Sequence, residues 1–524
     1  MIKRIIKCAV IAFATLLAGC IENNVPYPYI ELNVLKMAVD GQISSKINKE
    51  SRIVTFEIAE SADLRELQIT ELEVTDQAVS SMVVGEVLDL TEPDTLSLSL
   101  YQTFEWRLVA NQPIERYFNV KGQIGEARIS TASRKAIAQV AIGTDISNVD
   151  ITALKLGPEG ATMTPALSEI RDFTNSINPP KVTVSYLDKV EVWELYVVVT
   201  ASNVNTGTVD PWVKIAWLEG SCAEGMVGGF EYCLNDGQDN WMSVNPASIE
   251  QDGTIFKAKL TGLSEQTSYK CRAVADGEYG AEVSFMTNEA TPLPNGSMDT
   301  WWLDGKVWCP WEEGTANFWD TGNVGTTTLG DSNTQPTENE KWDSKSDGRG
   351  AKLESKFVGI GSVGKFAAGN IYVGDFKQVD GTNGILDFGK PFTSFPTRLC
   401  GYYRYETKLV DITNDETAHM AGKPDTCSIY IALGDWDDQV EIRTRPSNRK
   451  LFDKEDPNII AYAEMYSGES TDGYVPFSLE LDYRELGRTP KYIIIVLSAS
   501  KYGDFFTGGD GATMWIDELR LEYD

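Results

Sequence analysis

Short runs in which apolar and polar residues alternate recur along the whole chain, and each run is bounded by Gly, Asn, Asp or Pro. Alternation with a period of two gives a strand one apolar face, whereas an amphipathic helix needs a period near 3.6 residues. Beyond the first twenty residues, no long stretch shows the helical period. The pattern therefore predicts an all-β protein. A chain of 524 residues exceeds what one hydrophobic core serves, so we expect several β-sandwiches in series.

The first twenty residues are of a different kind. Three basic residues precede an apolar run that is too short to span a bilayer. The run ends in Leu17-Ala18-Gly19-Cys20, which resembles the lipobox of bacterial lipoproteins, where the cysteine is lipidated and becomes the mature N-terminus. The resemblance implies a lipid on Cys20 and an exported chain held at the cell envelope, at the outer membrane. An ordinary secretory leader is the alternative.

The chain is strongly acidic, with 77 Asp and Glu against 46 Lys and Arg and a formal net charge of -31. Such a surface repels nucleic acid and anionic lipid headgroups. We therefore expect no nucleic-acid partner and assign membrane attachment to the lipid. Neutral partners such as glycans are compatible with this charge.

Cysteine and histidine are scarce. No pair of cysteines has CxxC spacing, so neither a zinc site nor a thioredoxin-like motif is predicted. Cys222 and Cys233 flank a Gly-rich turn and are the first pair to test for a disulfide in an exported chain. The one histidine, His419, lies in a polar loop. Unless His419 is itself a base, any catalysis would use carboxylates, as in glycoside hydrolysis.

Two segments are internal copies of each other. The pattern over residues 63–72 recurs over 145–154, and Trp106 corresponds to Trp193 in a later strand of each copy. We interpret them as tandem immunoglobulin-like modules. Two-layer packing accounts for their apolar positions, so we predict spacers without a site.

A third module resembles fibronectin type III. Leu263 and Tyr269 have the spacing of that family's tyrosine corner. Residue parity places Cys271 on the face of Tyr269 and Cys233 on the opposite face of its own strand, so a bridge between these two cysteines is not expected. A Pro-containing linker follows this module.

The predicted organisation is a signal peptide at 1–20, a linker at 21–27, immunoglobulin-like modules at 28–120 and 121–202, a fibronectin type III-like module at 205–288, a linker at 289–294, and a jelly roll at 295–524.

The last region contains eight of the thirteen tryptophans. Residues 492–497 are apolar on both faces, which predicts a central strand, and the length of the region suits one large jelly roll. Several of its segments resemble the putative carbohydrate metabolism domain of exported lipoproteins from glycan-degrading gut bacteria: 293–298 with Trp301, 368–374, 388–392, 498–509 and 515–519. The resemblance implies a carbohydrate-binding type of jelly roll with a glycan-handling, non-catalytic role.

Two loops of this region combine aromatic rings with carboxylates, as sugar-binding sites do. Asp435, Trp436 and Asp437 form the first, and Tyr502 and Asp504 belong to the second. The acids around Trp436 predict that its ring is exposed. The alternatives are a place in the core for each ring, and calcium binding or simple solvation for the acids of the first loop.

The last strand holds an acid, Asp517, on what its parity with Trp515 and Leu519 predicts to be a buried face. A buried carboxylate needs a partner. In similar jelly rolls an Asp at this position helps to ligate a structural calcium beside the N-terminal Asn-Gly segment, which implies a contribution from Asp299. A hydrogen-bonded structural carboxylate is the alternative.

These features favour a lipid-anchored protein that binds glycans non-catalytically in support of polysaccharide utilisation, with protein partners in a glycan-uptake complex. A second hypothesis is a glycoside hydrolase using acids such as Asp435, Asp437 or Asp504, which requires two carboxyls about 5 Å or about 6.5–9.5 Å apart. A third is a structural adhesin or assembly subunit whose jelly roll contacts protein.

Overall fold

The computed structural model describes residues 31–49, 51–342, 348–360 and 363–524. The leader and Cys20 lie outside the described residues. Regular structure in this part of the chain is strand except for one four-residue α-helix and short 3-10 turns, which confirms the predicted all-β class. None of the described helices has the length and apolarity needed to cross a membrane. The described residues divide into two compact units, the first ending at Ile114 and the second running from Glu115 to Asp524.

The first unit is a sandwich of two sheets with strand orders β1-β4-β6 and β2-β3-β8-β7-β5. Trp106 is fully buried in its core and donates a hydrogen bond from Nε1 to the Leu32 carbonyl at 3.1 Å. The strands are β1 Val34–Val39, β2 Gln42–Asn48, β3 Ile53–Ile58, β4 Leu67–Val74, β5 Val79–Ser80, β6 Val87–Leu88, β7 Asp94–Ser99 and β8 Thr103–Asn111.

The second unit begins with another sandwich, with strand orders β9-β12 and β10-β11-β15-β14-β13. Because β9 pairs with β12, residues 117–120 are part of this sandwich, which corrects the predicted boundary at 120. Its strands are β9 Tyr117–Val120, β10 Arg128–Ser130, β11 Lys135–Val140, β12 Ile151–Lys155, β13 Thr162–Thr164, β14 Lys181–Tyr186 and β15 Lys189–Val199.

These two sandwiches share an uncommon feature, a parallel pair of strands next to the buried tryptophan. β3 pairs in parallel with β8, and β11 pairs in parallel with β15. Phe56 lies opposite Ala110, four residues after Trp106, and Ala138 lies opposite Val197, four residues after Trp193. The structural counterpart of Phe56 is therefore Ala138.

The fibronectin-like module has strand orders β16-β17-β21-β20 and β19-β18-β22-β23, with β24 also paired to β22. The tyrosine corner is present, since the Ser264 amide donates to the Tyr269 hydroxyl at 3.0 Å. Cys271 faces the core, and the six cysteines of the described residues are buried and free. The strands are β16 Val204–Pro211, β17 Ala216–Cys222, β18 Gly228–Leu234, β19 Met242–Ser243, β20 Ile249–Asp252, β21 Ile255–Leu260, β22 Ser268–Ala275, β23 Glu278–Tyr279 and β24 Val283–Met286.

An aromatic interface joins this module to the C-terminal domain. Trp212 is 2% exposed, its ring stacks on Phe395 with centroids 5.0 Å apart, and it contacts Tyr483 at 4.4 Å. The intervening linker is also held, because the Tyr523 hydroxyl donates to the Thr291 carbonyl at 2.7 Å. The module and the domain are therefore packed against each other through apolar side chains.

The C-terminal domain is a sandwich of a nine-stranded and a five-stranded sheet. The larger sheet has the order β37-β33-β32-β41-β36-β38-β40, with β27 on β32 and β34 on β41, and the smaller has the order β28-β29-β42-β35-β39. The elements are β25 Trp302–Asp304, β26 Val307–Cys309, β27 Trp319–Thr321, α1 Asn323–Thr326, β28 Thr334–Thr337, β29 Gly350–Glu354, β30 Lys356–Ile360, β31 Val363–Ala367, β32 Asn370–Asp380, β33 Asn383–Phe388, β34 Lys390–Pro391, β35 Arg398–Glu406, β36 Cys427–Gly434, β37 Val440–Arg443, β38 Ile459–Ser467, β39 Val475–Glu480, β40 Asp482–Tyr483, β41 Tyr492–Ser498 and β42 Thr513–Glu522.

Strand β41 is central in the larger sheet, between β32 and β36, as its apolar sequence predicts. Ile493, Ile495 and Leu497 belong to the core between the sheets. Ile494 and Val496 belong to a second apolar cluster on the outer face of the same sheet. Both faces of this sheet are therefore covered, and the outer cluster borders the candidate site.

Strand β42 differs from its predicted parity. A bulge with φ +51° at Glu518 shifts the register, so that Met514 and Ile516 face the core before the bulge and Leu519 faces it afterwards. Asp517 consequently lies on the other face of the sheet, opposite Tyr402, although it is fully buried. Asp517 is therefore buried, as predicted, but it does not share a face with Leu519.

Candidate functional site

A pocket of about 220 Å³ lies on the outer face of the nine-stranded sheet. Four structures enclose it: the sheet itself, the β30–β31 hairpin, helix α1 and the loop that follows β41. A concave, mainly apolar cavity with a few polar groups is the usual form of a small-ligand site. The pocket is therefore the candidate functional site of the domain.

The floor of the pocket is made of outward-facing side chains of neighbouring strands. Tyr372 and Tyr430 contribute aromatic rings from β32 and β36, and Phe388 contributes one from β33. Val496 and Ser498 lie between them on β41. These rings supply the flat apolar surface on which the C–H face of a sugar ring packs.

One polar group of the floor has no partner. The Tyr372 side chain is 1% exposed, and its hydroxyl forms no hydrogen bond within the described part of the chain. Burial raises the pKa of Tyr372 well above its usual range, so the hydroxyl stays protonated and can donate. An unpaired buried hydroxyl lowers the free energy of unfolding by about 1–3 kcal/mol, and a ligand hydroxyl in the pocket would provide its partner.

The loop over 499–512 forms one wall, and a buried carboxylate holds it in place. Asp425 is 2% exposed and accepts hydrogen bonds from the Ser500 hydroxyl at 2.6 Å and the Gly509 amide at 2.8 Å. A Cβ at Gly508 would lie 2.3 Å from the Phe366 ring, so the loop can approach the β30–β31 hairpin only with glycine there. Asp425 is a positioning residue that the sequence analysis did not identify.

Replacing Asp425 with alanine should lower the free energy of unfolding by about 1–3 kcal/mol, because the Ser500 hydroxyl and Gly509 amide would lose their buried acceptor. The wall of the pocket should also shift and weaken ligand binding. Urea denaturation and ligand titration check the two effects, with the exposed Asp472→Ala as control. Equal stability of the two variants would contradict this role of Asp425.

The same loop carries Asp504 and Phe506, both of which border the pocket. Phe506 has a left-handed backbone with φ +54°, which is rare for a bulky residue and common at functional sites. Asp504 is exposed as a residue, but the surrounding protein partly desolvates its carboxyl and raises its pKa to about 6, while nearby Arg449 acts in the opposite direction. Asp504 thus offers an acceptor in the pocket whose charge changes near pH 6.

The raised pKa of Asp504 predicts a pH-dependent stability. The folded state holds this proton more tightly than the unfolded chain, so ionisation opposes folding; the penalty is absent below about pH 4 and complete above about pH 6. Asp504→Asn should therefore be more stable than the native chain at pH 7.5 and equally stable at pH 4. The gain should stay below about 1 kcal/mol because solvent reaches the carboxyl. Urea denaturation at the two pH values measures it, and a gain that is the same at both would contradict this account.

The structure places the two predicted loops far apart. Gly434 at the end of β36 pairs with Tyr492 at the start of β41, whereas Ser428 pairs with Ser498 at the other end. The Trp436 loop and the loop after β41 consequently lie at opposite ends of the sheet, roughly 20 Å apart for strands of this length. They do not form one concavity.

Trp436 is not exposed, contrary to the prediction. Its ring is 6% exposed, packs back over Gly434, and donates from Nε1 to Asp456 at 3.0 Å. The acids beside it are paired, Asp435 with Arg488 at 2.7 Å and Asp437 with Lys491 at 2.9 Å. The indole and the two acids of this loop are therefore paired with neighbouring side chains, and the ring does not face solvent.

Of the second loop, Asp504 lines the pocket and Tyr502 does not. The Tyr502 ring is half-buried and packs edge-on against Phe505 with centroids 6.4 Å apart. Lys501, next to it, borders the pocket, and its ammonium lies 3.6 Å from the centre of the Tyr466 ring.

The described partners of Asp517 and Asp299 are backbone amides. The two carboxylate oxygens of Asp517 accept from the amides of Trp342 and Glu518, both at 2.8 Å. Asp299 accepts from the Arg349 amide at 2.7 Å. Calcium takes six to eight oxygen ligands, and no cluster of three acidic, His or Cys side chains suited to a metal occurs in the described ranges. The hydrogen bonds favour the structural alternative.

The five-stranded sheet carries an exposed aromatic pair on its outer face. Trp342 is 46% exposed and stacks on Tyr402 with centroids 4.1 Å apart and planes 14° apart. Next to it, Arg404 lies over the Trp515 ring at 4.4 Å. This pair is a flat surface, without the enclosing walls of the pocket.

Comparison with known proteins agrees with the sequence resemblance for the C-terminal domain. Residues 297–522 match the family model described as the putative carbohydrate metabolism domain. This match supports a glycan-related role. No curated protein matches the chain.

Three solved structures are similar to parts or most of the chain. A putative glycoside hydrolase from Bacteroides thetaiotaomicron has 14% identity, with 95% of this chain and 98% of that chain covered and a TM-score of 0.31. A putative glycoside hydrolase from Bacteroides vulgatus has 24% identity, with 43% and 94% covered and a TM-score of 0.33. A surface glycan-binding protein from Prevotella bryantii has 10% identity, with 82% and 92% covered and a TM-score of 0.13.

Proposed function

We propose that this protein binds glycans non-catalytically through the pocket of its C-terminal domain, in support of polysaccharide utilisation. We further propose that a lipid on Cys20 anchors it in the outer membrane, where it can join a glycan-uptake complex. The observation that carries the binding proposal is the aromatic pocket with the buried, unpartnered Tyr372 hydroxyl, in a domain that matches a carbohydrate-metabolism family.

The chemistry of the lining suits a sugar. Ring faces can pack on the apolar side of a pyranose, and the polar groups of the lining can pair with its hydroxyls. Those polar groups include Asn370, Asn383, Thr444 and Asp504. A cavity of about 220 Å³ holds a ligand of the size of a sugar unit and excludes a folded protein segment.

The lining also favours binding over hydrolysis. Glycosidases usually use two carboxyls that flank the scissile bond. Within the described residues, Asp504 is the one acidic side chain that lines the pocket. Release of reducing ends from a polysaccharide, abolished by Asp504→Asn, would instead support the hydrolase alternative.

The proposal is tested by screening the full-length protein against a polysaccharide panel and measuring hits by calorimetry. Binding to at least one glycan class is expected. A blank panel with folded protein would overturn the proposal, and a native pull-down that returned a protein and no sugar would favour an adhesin. Incorporation of a labelled fatty acid, lost in Cys20→Ser, tests the anchor separately.

Replacing Tyr372 with phenylalanine should have opposite effects on binding and stability. Removing an unpartnered buried hydroxyl should raise the free energy of unfolding by about 1 kcal/mol. Loss of its bond to the ligand should weaken binding about five- to tenfold. Calorimetry and urea denaturation measure both. Retained binding in Tyr372→Phe together with lost binding in Trp342→Ala would move the site to the exposed pair on the other sheet.

A further inference from the structure

The charge of the pocket is opposite to that of the protein. The chain carries a net charge of -31, yet the charged side chains that line the pocket in the described residues are two lysines, Lys365 and Lys501, and one acid, Asp504. Acidic side chains are therefore abundant elsewhere and depleted here. A local excess of positive charge raises the concentration of anions at a site.

Neither lysine forms a salt bridge within the described residues. Lys365 donates to the Asn383 amide oxygen at 2.7 Å, and its ammonium lies 3.9 Å from the centre of the Phe506 ring. Lys501 has ring contacts only, to Tyr466 and Tyr502. An ammonium has three donors, so both lysines keep donors available for a ligand.

Two arginines add to the positive field. Burial lowers the pKa of Lys365, and the positive charges of Arg445 and Arg449 lower it further. Arg449 pairs with Glu416 at 2.6 Å, but its Nε and Nη2 atoms are buried without a partner in the described residues. Arg445 pairs with Asp380 at 3.1 Å. Lys365 is partly desolvated and has no salt bridge in the described residues, and a bound anion would supply its counter-charge.

We infer that the pocket takes an anionic sugar residue, one that bears a carboxylate or a sulfate ester, with Lys365 and Lys501 binding its charged group. This inference rests on the proposed glycan-binding function. The aromatic floor would pack on the sugar ring, and the Tyr372 hydroxyl and Asp504 would bind its hydroxyls. Because two lysines and one aspartate line the pocket in the described residues, its net positive charge attracts a sugar with one negative charge.

The test compares matched ligands on the full-length protein by calorimetry at low and high salt. The probes are galactose, galacturonate and galactose 6-sulfate, each as a trisaccharide. We expect at least one anionic probe to bind about tenfold or more tightly than its neutral counterpart, with the difference shrinking as salt rises. The two anionic arms distinguish a carboxylate from a sulfate ester.

Lysine variants test the assignment within the pocket. Lys365→Gln and Lys501→Gln should each reduce the affinity for the anionic probe severalfold more than the affinity for the neutral probe. Lys454→Gln is the matched control, because Lys454 belongs to the same domain but pairs with Glu464 at 2.9 Å, outside the pocket. Thermal melting verifies that each variant is folded.

The outcomes separate this inference from the proposed function. Equal or tighter binding of the neutral probe would overturn the anionic preference and leave glycan binding intact. An anionic preference that Lys454→Gln reduces as much as the pocket variants do would also overturn it. Failure of all probes and of the whole polysaccharide panel would overturn both proposals.

Discussion

Replacing Trp212 with alanine should lower the free energy of unfolding by about 3–5 kcal/mol, the usual cost of removing a fully packed large aromatic side chain. The indole is 2% exposed, and Phe395 and Tyr483 of the C-terminal domain pack on it at 5.0 and 4.4 Å. Its removal would leave a cavity between the fibronectin-like module and the domain. We therefore expect the two to lose cooperativity and unfold in separate calorimetric transitions.

The matched control for this prediction is Trp241→Ala in the same module. Trp241 is half-buried and has Arg272 over its ring at 4.1 Å, away from the interface. Its loss should lower the free energy of unfolding by about 1 kcal/mol and leave the module and the domain unfolding together. If Trp212→Ala behaved like this control, the interface would contribute little to stability. Binding experiments should use the full chain, because an isolated 295–524 segment would lose the contact with Trp212 and expose Phe395 and Tyr483.

The second large effect is expected on ligand binding, from Gly325→Leu in helix α1. A Cβ at this position would lie 3.7 Å from the Phe376 ring, an ordinary contact, and both residues line the pocket. The leucine side chain should occupy part of the 220 Å³ cavity and reduce glycan affinity about tenfold or more. Stability should change little, because leucine is a better helix former than glycine by about 0.8 kcal/mol.

Calorimetric titration with a glycan from the panel measures this effect, and thermal melting verifies the fold. Ala418→Leu, an exposed position of the same domain outside the pocket, is the control and should bind normally. Undiminished binding by a folded Gly325→Leu variant would exclude the pocket as the binding site.

The sequence predicted those features that depend on nearby residues. The central position of β41 follows from side chains that are apolar on both faces, and the tyrosine corner follows from the spacing of Leu263 and Tyr269. The face of Cys271 follows from strand parity. Each of these depends on a period or spacing within one strand and its adjoining loop.

Features that depend on distant residues were not predictable. Trp436 is surrounded by acids in sequence, but Phe452 packs on its ring and Asp456 accepts from its indole. The bulge at Glu518 reverses the parity of β42 without a local glycine to mark it. The alternation of residues within one strand predicts neither which residues of another loop pack on it nor where its register shifts.

The pocket was missed for the same reason. Its lining comes from helix α1, a hairpin, four strands and a loop, which span residues 322–506. The loop with Asp504 stands out in the sequence for its aromatic and acidic residues, and in the structure it lies beside the pocket.

The first and last segments of the C-terminal domain lie side by side. The Leu519 amide in β42 donates to the Gly296 carbonyl at 2.7 Å, and Tyr523 bonds to Thr291 in the segment that leads into the domain. Neighbouring termini allow a folded unit to be excised or spliced into a host protein without cutting any of its strands. The adjacent ends thus suit the domain to insertion into another chain, provided that the host covers Phe395 and Tyr483 as the fibronectin-like module does.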